Sequence, residues 1–291
     1  MSATATSTMN ANARTTSSKD AEEYRDALVM RKKNAAKLKE GYTQRKRNVE
    51  KAAITVFTCL FVYNSVRLAV YLWAQYPTLT ATDVAYLGMQ IFGATILAIF
   101  MADLISGLAH WGSDTWGTCE TPVFGVFIRS FREHHVAPQA MGDHDWIETN
   151  GDNLLMCDPV AIWQALQVLP VNPVLAPGAD NPGISVFWFT FTLSLLFFVG
   201  LTNQFHKWTH IPKPPKLVRV LQECNIILSK KIHNQHHSVP FDCNYCITTG
   251  WFNPILEVIG FWRGLEFVIQ KTTGYVPRED DGLWTAQKKD E

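Results

Sequence analysis

The stretch ISVFWFTFTLSLLFFVGLTNQF, residues 184–205, is the strongest apolar run of this 291-residue chain, and it ends directly before His206. A helix of about 20 apolar residues crosses the hydrocarbon core of a bilayer, so this run is long enough to span a membrane. Two further apolar runs, 52–76 and 84–109, are joined by a short turn. They predict a transmembrane hairpin, and two buried core helices are the alternative interpretation.

A fourth, weaker apolar run covers residues 154–175 and is interrupted by Asp158, Pro159 and Pro170. It is either a membrane span or a re-entrant segment. Tryptophan (ten) and phenylalanine (seventeen) are plentiful, and the apolar residues come in blocks rather than at amphipathic spacing, which favours a membrane protein. The sequence therefore predicts an all-α integral membrane protein with about four transmembrane helices.

The charges predict the orientation in the membrane. Lysine plus arginine and aspartate plus glutamate balance at 26 each, so net charge indicates no partner. Residues 31–51, however, carry nine Lys/Arg against two Glu just before the first apolar run. A positive flank of a membrane segment explains this block better than nucleic-acid binding does, so the N-terminus should be cytosolic. An even number of spans leaves the C-terminus cytosolic too.

Three sequence regions follow from this pattern. Residues 1–50 form a polar and then basic cytosolic segment, 51–282 the membrane-embedded domain, and 283–291 a cytosolic tail. No signal peptide is visible, because the first apolar run starts too late and runs too long. The tail carries Lys288-Lys289 third and fourth from the end, the form of a retrieval signal of the endoplasmic reticulum membrane. The six cysteines have no framework spacing and are expected to be reduced thiols.

The nine histidines all lie between His110 and His237, in the segments 110–144 and 206–237. The charge bias places both segments on the cytosolic side, so two independent arguments bring the histidines together. Within them, His110 and Asp114 are one helical turn apart, and His206 and His210 repeat that spacing. The remaining members of the pattern are adjacent or one turn apart: His134, His135, His233, His236 and His237.

Such a set exceeds the needs of one structural zinc, which takes four ligands. Eight imidazoles and a carboxylate suffice for two metals, and imidazole-rich sites at the mouth of membrane helices suit iron that activates oxygen. We therefore expect a cytosolic, histidine-rich di-metal cap on the helices. No nucleophile triad, phosphate-binding loop or zinc-protease motif competes with this interpretation.

Four motifs resemble one known family. They are His110-Trp111-Gly112-Ser113-Asp114, Arg132-Glu133-His134-His135, the stretch from Asn203 to His210, and His233-x-x-His236-His237. Together they resemble the lipid desaturase family, which includes plasmanylethanolamine desaturase and the plant enzyme that makes a trans-3 double bond in phosphatidylglycerol. The resemblance covers residues 102–282, and the block 144–153 is similar to the ether-lipid branch. One departure from the fatty-acyl desaturases is Phe131, where their second motif begins with histidine.

The resemblance implies two iron ions, molecular oxygen as oxidant and cytochrome b5 as electron donor. It implies that the vinyl-ether double bond is introduced into 1-O-alkyl ethanolamine phospholipids, the step that makes plasmalogens. A fatty-acyl desaturase or hydroxylase with the same di-iron centre is the alternative enzyme. A non-catalytic membrane adaptor with a structural zinc site is the alternative of another class.

The resemblance also assigns residues. The iron ligands would be His110, His134, His135, His206, His210, His233, His236 and His237. Asp114 and Asn203 would act in catalysis by orienting imidazoles or holding water. His144 is either a ninth ligand or a group near the lipid headgroup. Asp145, Glu148 and Asp152 either contact the cationic ethanolamine or form a solvated acidic loop.

Six basic residues near the last histidines form what we call the basic surface: Lys207, Lys213, Lys216, Arg219, Lys230 and Lys231. Only one glutamate lies in the same stretch. Such a surface would steer an acidic redox partner to the metals, and attraction to anionic lipid headgroups is the alternative.

Overall fold

The computed structural model describes residues 29–30, 33, 36, 42–122, 124–138, 140–237 and 242–278. Within these ranges the chain is helical and contains no β-strand beyond one isolated bridge. The helices are α1 (Gln44–Gln75, followed by a 3-10 turn, Tyr76–Thr78), α2 (Ala81–Thr115), α3 (Gly125–Val136), α4 (Ala140–Asp143), α5 (Trp146–Leu166), α6 (Val186–His210), α7 (Lys216–Glu223), α8 (Lys230–His236), α9 (Asn253–Val258) and α10 (Phe261–Thr273). The predicted polar N-terminus, apart from a few positions, and the tail with Lys288 and Lys289 lie outside the described residues.

The chain forms two compact units. The main unit contains residues 42–116 and 139–277, and the second contains 1–41, 117–138 and 278–291. Helix α3 belongs to the second unit. Within it, Arg129 pairs with Glu133 one turn later at 3.3 Å, and the rings of Phe127 and Phe131 lie 4.8 Å apart in a tilted arrangement.

Helices α1, α2 and α6 are long and apolar enough to cross a membrane. They confirm the helices predicted from the three strongest apolar runs, and each helix extends beyond its run into polar residues. Helix α1 begins eight residues earlier than its apolar run because the side chain of Thr43 accepts a hydrogen bond from Lys46 N and caps the helix. Helix α2 continues past the predicted end at residue 109, which places His110 and Asp114 on one face of the same helix.

The fourth run forms helix α5, which is displaced toward the N-terminus relative to the predicted 154–175. It begins after Asp145, whose carboxylate accepts hydrogen bonds from the backbone N–H groups of Ile147 and Glu148. Pro159 lies inside the helix. Among the described helices, α5 is not one of the three whose apolarity meets that of a membrane span.

Helix α5 completes a four-helix bundle with α1, α2 and α6. The Asn64 amide of α1 donates to Ala161 O of α5 at 3.2 Å, and the Gln164 amide of α5 donates to Phe189 O of α6 at 2.8 Å. A hydrophobic cluster fills the space between these helices: Phe57, Leu154, Cys157, Ala161 and Leu196. Lys46 near the start of α1 contacts Asp152 near the start of α5, so these two helices are parallel. Asn150 at the start of α5 contacts Gln204 near the end of α6, so α5 and α6 are antiparallel.

Helices α2 and α6 run side by side in the same direction. Near their N-terminal ends Leu87 packs with Val186 and Phe189, and at mid-length Thr95 meets Ser194 at 3.3 Å. Because the two helices are parallel, their C-terminal ends, which carry the predicted ligands His110, His206 and His210, arrive at the same end of the bundle.

The last described helices, α9 and α10, are separated at Gly260, which has a φ of +62°. Helix α10 buries Trp262 and Glu266 and exposes Phe267 and Val268. Trp262 joins a buried cluster with Trp111 of α2 and Tyr245. Residues 245–250, between α8 and α9, are therefore buried against the end of α2.

Candidate metal centre

Four imidazoles of the main unit converge on one point. We call His206, His210, His233 and His237 the four-histidine group. The Nε2 atom of His233 lies 2.8 Å from those of His206 and His210 and 2.9 Å from that of His237. His206 and His210 lie in the last turns of α6, His233 lies in α8, and His237 directly follows α8.

Hydrogen bonds alone cannot satisfy this arrangement. A neutral imidazole nitrogen carries either one proton or one lone pair, so it serves one close partner well. The Nε2 of His233 has three such partners within 2.9 Å. A single cation would accept the lone pairs of all four rings, so the donor set fits a metal ion.

The second cluster contains two imidazoles and a carboxylate, and we call His110, Asp114 and His236 the mixed group. Asp114 Oδ2 lies 3.2 Å from His110 Nε2 and 3.5 Å from His236 Nε2. In each group the candidate ligand atoms lie within 4.8 Å of one another. All three residues of the mixed group are buried.

Backbone carbonyls fix the tautomers of the mixed group. His110 Nδ1 lies 3.1 Å from Tyr245 O, and His236 Nδ1 lies 2.7 Å from Cys243 O. A carbonyl only accepts, so each Nδ1 carries the proton and each Nε2 presents a lone pair to the Asp114 carboxylate. The two Nε2 lone pairs and the anionic oxygen of Asp114 repel one another unless a cation lies between them. The mixed group therefore also fits a metal ion, oriented by hydrogen bonds behind the ligands.

Burial keeps the rings of α8 neutral. It lowers the pKa of His236 to about 4, and together with neighbouring imidazoles it holds the pKa of His233 and His237 well below the ordinary value. Neutral imidazole is the form that binds metals, so these groups keep their lone pairs near neutral pH.

The two groups are neighbours. The ring of His110 lies 5.7 Å from that of His206, and the ring of His236 lies 5.4 Å from that of His237, measured between centroids. The structure thus brings together six of the predicted histidine ligands and Asp114. Asp114 lies among the candidate ligand atoms, whereas the sequence suggested a role in orienting imidazoles; here the carbonyls of Tyr245 and Cys243 have that role.

Four further predicted site residues are His134, His135, His144 and Asn203. His134 and His135 occupy the last turn of α3 in the second unit, and both are buried; their role as ligands stays a prediction. His144 belongs to neither group within the main unit, and its Nε2 lies 3.6 Å from Glu148. Asn203 is half-buried on α6, three residues before His206.

The acidic residues near α5 already have basic neighbours. Asp145, the N-cap, pairs with Arg47 of α1, and Asp152 accepts from Lys46 Nζ at 2.8 Å. These pairs join the start of α5 to the start of α1. The predicted contact of these carboxylates with a cationic headgroup stays a prediction.

The chain is similar to proteins of known family. Residues 99–280 match the family described as the lipid desaturase domain. The chain belongs to the lipid desaturase family. It is 41% identical to plasmanylethanolamine desaturase 1 of Mus musculus over 250 residues, 85% of each chain. It is 39% identical to plasmanylethanolamine desaturase of Myxococcus xanthus over 254 residues, 87% of this chain and 82% of that one.

Plant members of the family are more distant. Fatty acid desaturase 4 of Arabidopsis thaliana is 33% identical over 180 residues, 61% of this chain and 51% of that one. No solved structure matches this lipid desaturase. The family assignment makes the protein an enzyme, a membrane-associated oxidoreductase that acts on lipid, as the sequence predicted.

Proposed function

We propose that this lipid desaturase introduces the vinyl-ether double bond into 1-O-alkyl ethanolamine phospholipids and so makes plasmalogens. The observation that carries the proposal is the similarity to two plasmanylethanolamine desaturases over at least 85% of this chain. The two adjacent ligand groups support it, because breaking C–H bonds of an alkyl chain requires an oxidant that no side chain supplies.

We assign one iron ion to each group. Bound iron would supply the oxidising power by activating molecular oxygen. The four-histidine group would hold one ion through four Nε2 atoms. The mixed group would hold the other through His110, His236 and Asp114. His134 and His135 are proposed as further ligands from the family motif alone.

The protein residues have defined tasks in this proposal. The carbonyls of Cys243 and Tyr245 hold the protons of His236 and His110 at Nδ1 and so keep both Nε2 atoms available. The burial of these rings excludes water from the metal positions. Because both groups lie at the ends of α2 and α6, an alkyl chain between the helices would reach them from the bilayer.

We place the enzyme in the endoplasmic reticulum membrane with both termini cytosolic. We take α5 as a fourth span because it packs along α1 and α6, and its 21 residues correspond to about 30 Å of helix. The basic block before α1 and the lysines at positions 288 and 289 support the orientation and the compartment.

Cytochrome b5 is the proposed electron donor, docking on the basic surface. Lys230 and Lys231 are exposed in the first turn of α8, one turn before His233. Reversing Lys213, Lys216 and Lys231 to glutamate should lower the rate with reduced cytochrome b5 at low salt, and the difference should shrink as salt screens the charges. Lys271→Glu, an exposed reversal on α10, is the control. Unchanged kinetics would contradict donor docking, and a loss that depends on anionic lipid would favour headgroup binding.

The decisive experiment measures conversion of alkyl to vinyl ether phospholipid by the purified enzyme with oxygen and a reductant. His237→Ala should lose the activity and lower the iron content, whereas Gln270→Ala, an exposed change on α10, should retain both. A product with new acyl unsaturation or a hydroxyl group would indicate the alternative enzyme. About one zinc and no iron in the purified protein would exclude the oxidase proposal.

A further inference from the structure

A buried carboxylate of α2 holds the backbone of the segment that orients the mixed group. Asp103 is fully buried. Its Oδ1 accepts hydrogen bonds from Thr249 N at 2.7 Å and Gly250 N at 2.8 Å, and its Oδ2 accepts from Phe252 N at 3.0 Å. Three backbone donors on one carboxylate form a strong, charge-assisted anchor. We call residues 243–253 the anchored segment.

Neighbouring side chains fix the same segment. Ser106, one turn after Asp103, accepts from Ile247 N at 3.0 Å. Asn253 binds both backbone groups of Cys246, accepting from its N–H at 2.8 Å and donating to its carbonyl at 2.9 Å. The segment therefore has one defined backbone conformation against the end of α2.

The orienting carbonyls belong to this segment. Cys243 O and Tyr245 O accept the Nδ1 protons of His236 and His110. Asp103 is 0% exposed and lies within an apolar membrane helix. Burying a carboxylate there is costly unless hydrogen bonds to the backbone or to other groups offset the cost. Asp103 thus holds the anchored segment, and the carbonyls of that segment hold the Nδ1 protons of His110 and His236.

We propose that Asp103 is a positioning residue for the metal ion of the mixed group, acting through the anchored segment. The four-histidine group depends on it less, because its rings are placed by α6 and α8. This inference rests on the proposed two-metal function.

Asp103→Asn tests the anchor with almost no change in shape. The amide has one acceptor oxygen in place of two, and its NH₂ must face either Phe252 N–H or the pair from Thr249 and Gly250. At least one buried donor then opposes another donor. Removing groups that orient metal ligands typically weakens metal binding about 10- to 100-fold, and we expect a loss of that order at the mixed group.

The experiment compares iron content and metal affinity of purified full-length wild type, Asp103→Asn and Asp83→Asn. Asp83 is the matched control, because its carboxylate also accepts a backbone N–H, that of Thr80 at 2.9 Å, but at the exposed start of the same helix. Wild type and Asp83→Asn should each hold two ions, and Asp103→Asn close to one. Circular dichroism checks that the variants remain helical.

Each outcome decides between the two proposals. A wild type that never holds two ions would refute the proposed two-metal function itself. Two tightly bound ions in Asp103→Asn, or equal loss of both in a folded variant, would refute the positioning role alone. If Asp103→Asn does not fold, Ser106→Ala replaces it: selective weakening of one ion supports the inference, and wild-type affinity for both overturns it.

Discussion

Gly107 of α2 is a point where the anchored segment and α10 approach the membrane helix closely. A Cβ atom added there would lie 2.5 Å from Cys246 Sγ and 3.1 Å from the ring of Trp262. Both side chains are buried, at 0% and 2% exposure, so neither can turn into solvent. Gly107→Ala should therefore force the anchored segment away from α2.

The size of the effect follows from two opposing terms. Alanine stabilises a helix by about 1 kcal/mol relative to glycine, while overpacking a filled core costs about 1–3 kcal/mol. Gly107→Ala should thus lower the free energy of unfolding by about 0–2 kcal/mol. Gly88→Ala on the same helix is the control, because nothing lies within 4 Å of its added Cβ. The two variants should differ by about 1–3 kcal/mol.

The assay combines denaturant unfolding in mixed micelles with metal content. Displacing Cys246 moves the neighbouring Tyr245 carbonyl away from His110, so Gly107→Ala should also bind the metal of the mixed group more weakly. In the double variant Gly107→Ala/Cys246→Ala the clashing sulfur is absent, and part of both losses should be recovered. The reasoning would be refuted if Gly107→Ala matched Gly88→Ala, or if the double variant recovered nothing.

Three further predictions concern other parts of the main unit. His144→Ala should keep the iron content of wild type, because its ring lies beside Glu148 outside both ligand groups; loss of an ion on metal analysis would make it a ligand. Arg67→Met should lower the free energy of unfolding by about 1.5–3 kcal/mol with no change in metal content, because Arg67 donates to three backbone carbonyls at the end of α5; an unchanged unfolding midpoint would contradict this. Removing metal with a chelator should lower the thermal unfolding midpoint, because ions that bind the folded state stabilise it, and readdition of iron should restore it.

Local spacing predicted part of the candidate metal centre. His110 with Asp114 and His206 with His210 are pairs one turn apart, and the helices that carry them are long enough to keep both members on one face. The apolar runs identified the spans for the same reason, since a run of the required length leaves few alternatives. The helix ends were less predictable, because they depend on capping by residues such as Thr43 and Asp145 that lie outside the apolar runs.

The hydrogen bonds behind the ligands could not be found from spacing. Asp103 contacts backbone groups 146 to 149 positions later, and no rule of helical periodicity extends that far. One signal was present in the sequence: an aspartate inside an otherwise apolar run calls for a buried partner. The partner is invisible in the side-chain pattern, because Asp103 binds N–H groups that every non-proline residue carries. The same holds for Cys243 and Tyr245, whose carbonyls, rather than their thiol and phenol, orient the imidazoles. Side-chain chemistry therefore predicted residues that converge in the four-histidine and mixed groups, and only the folded backbone identifies what holds them in place.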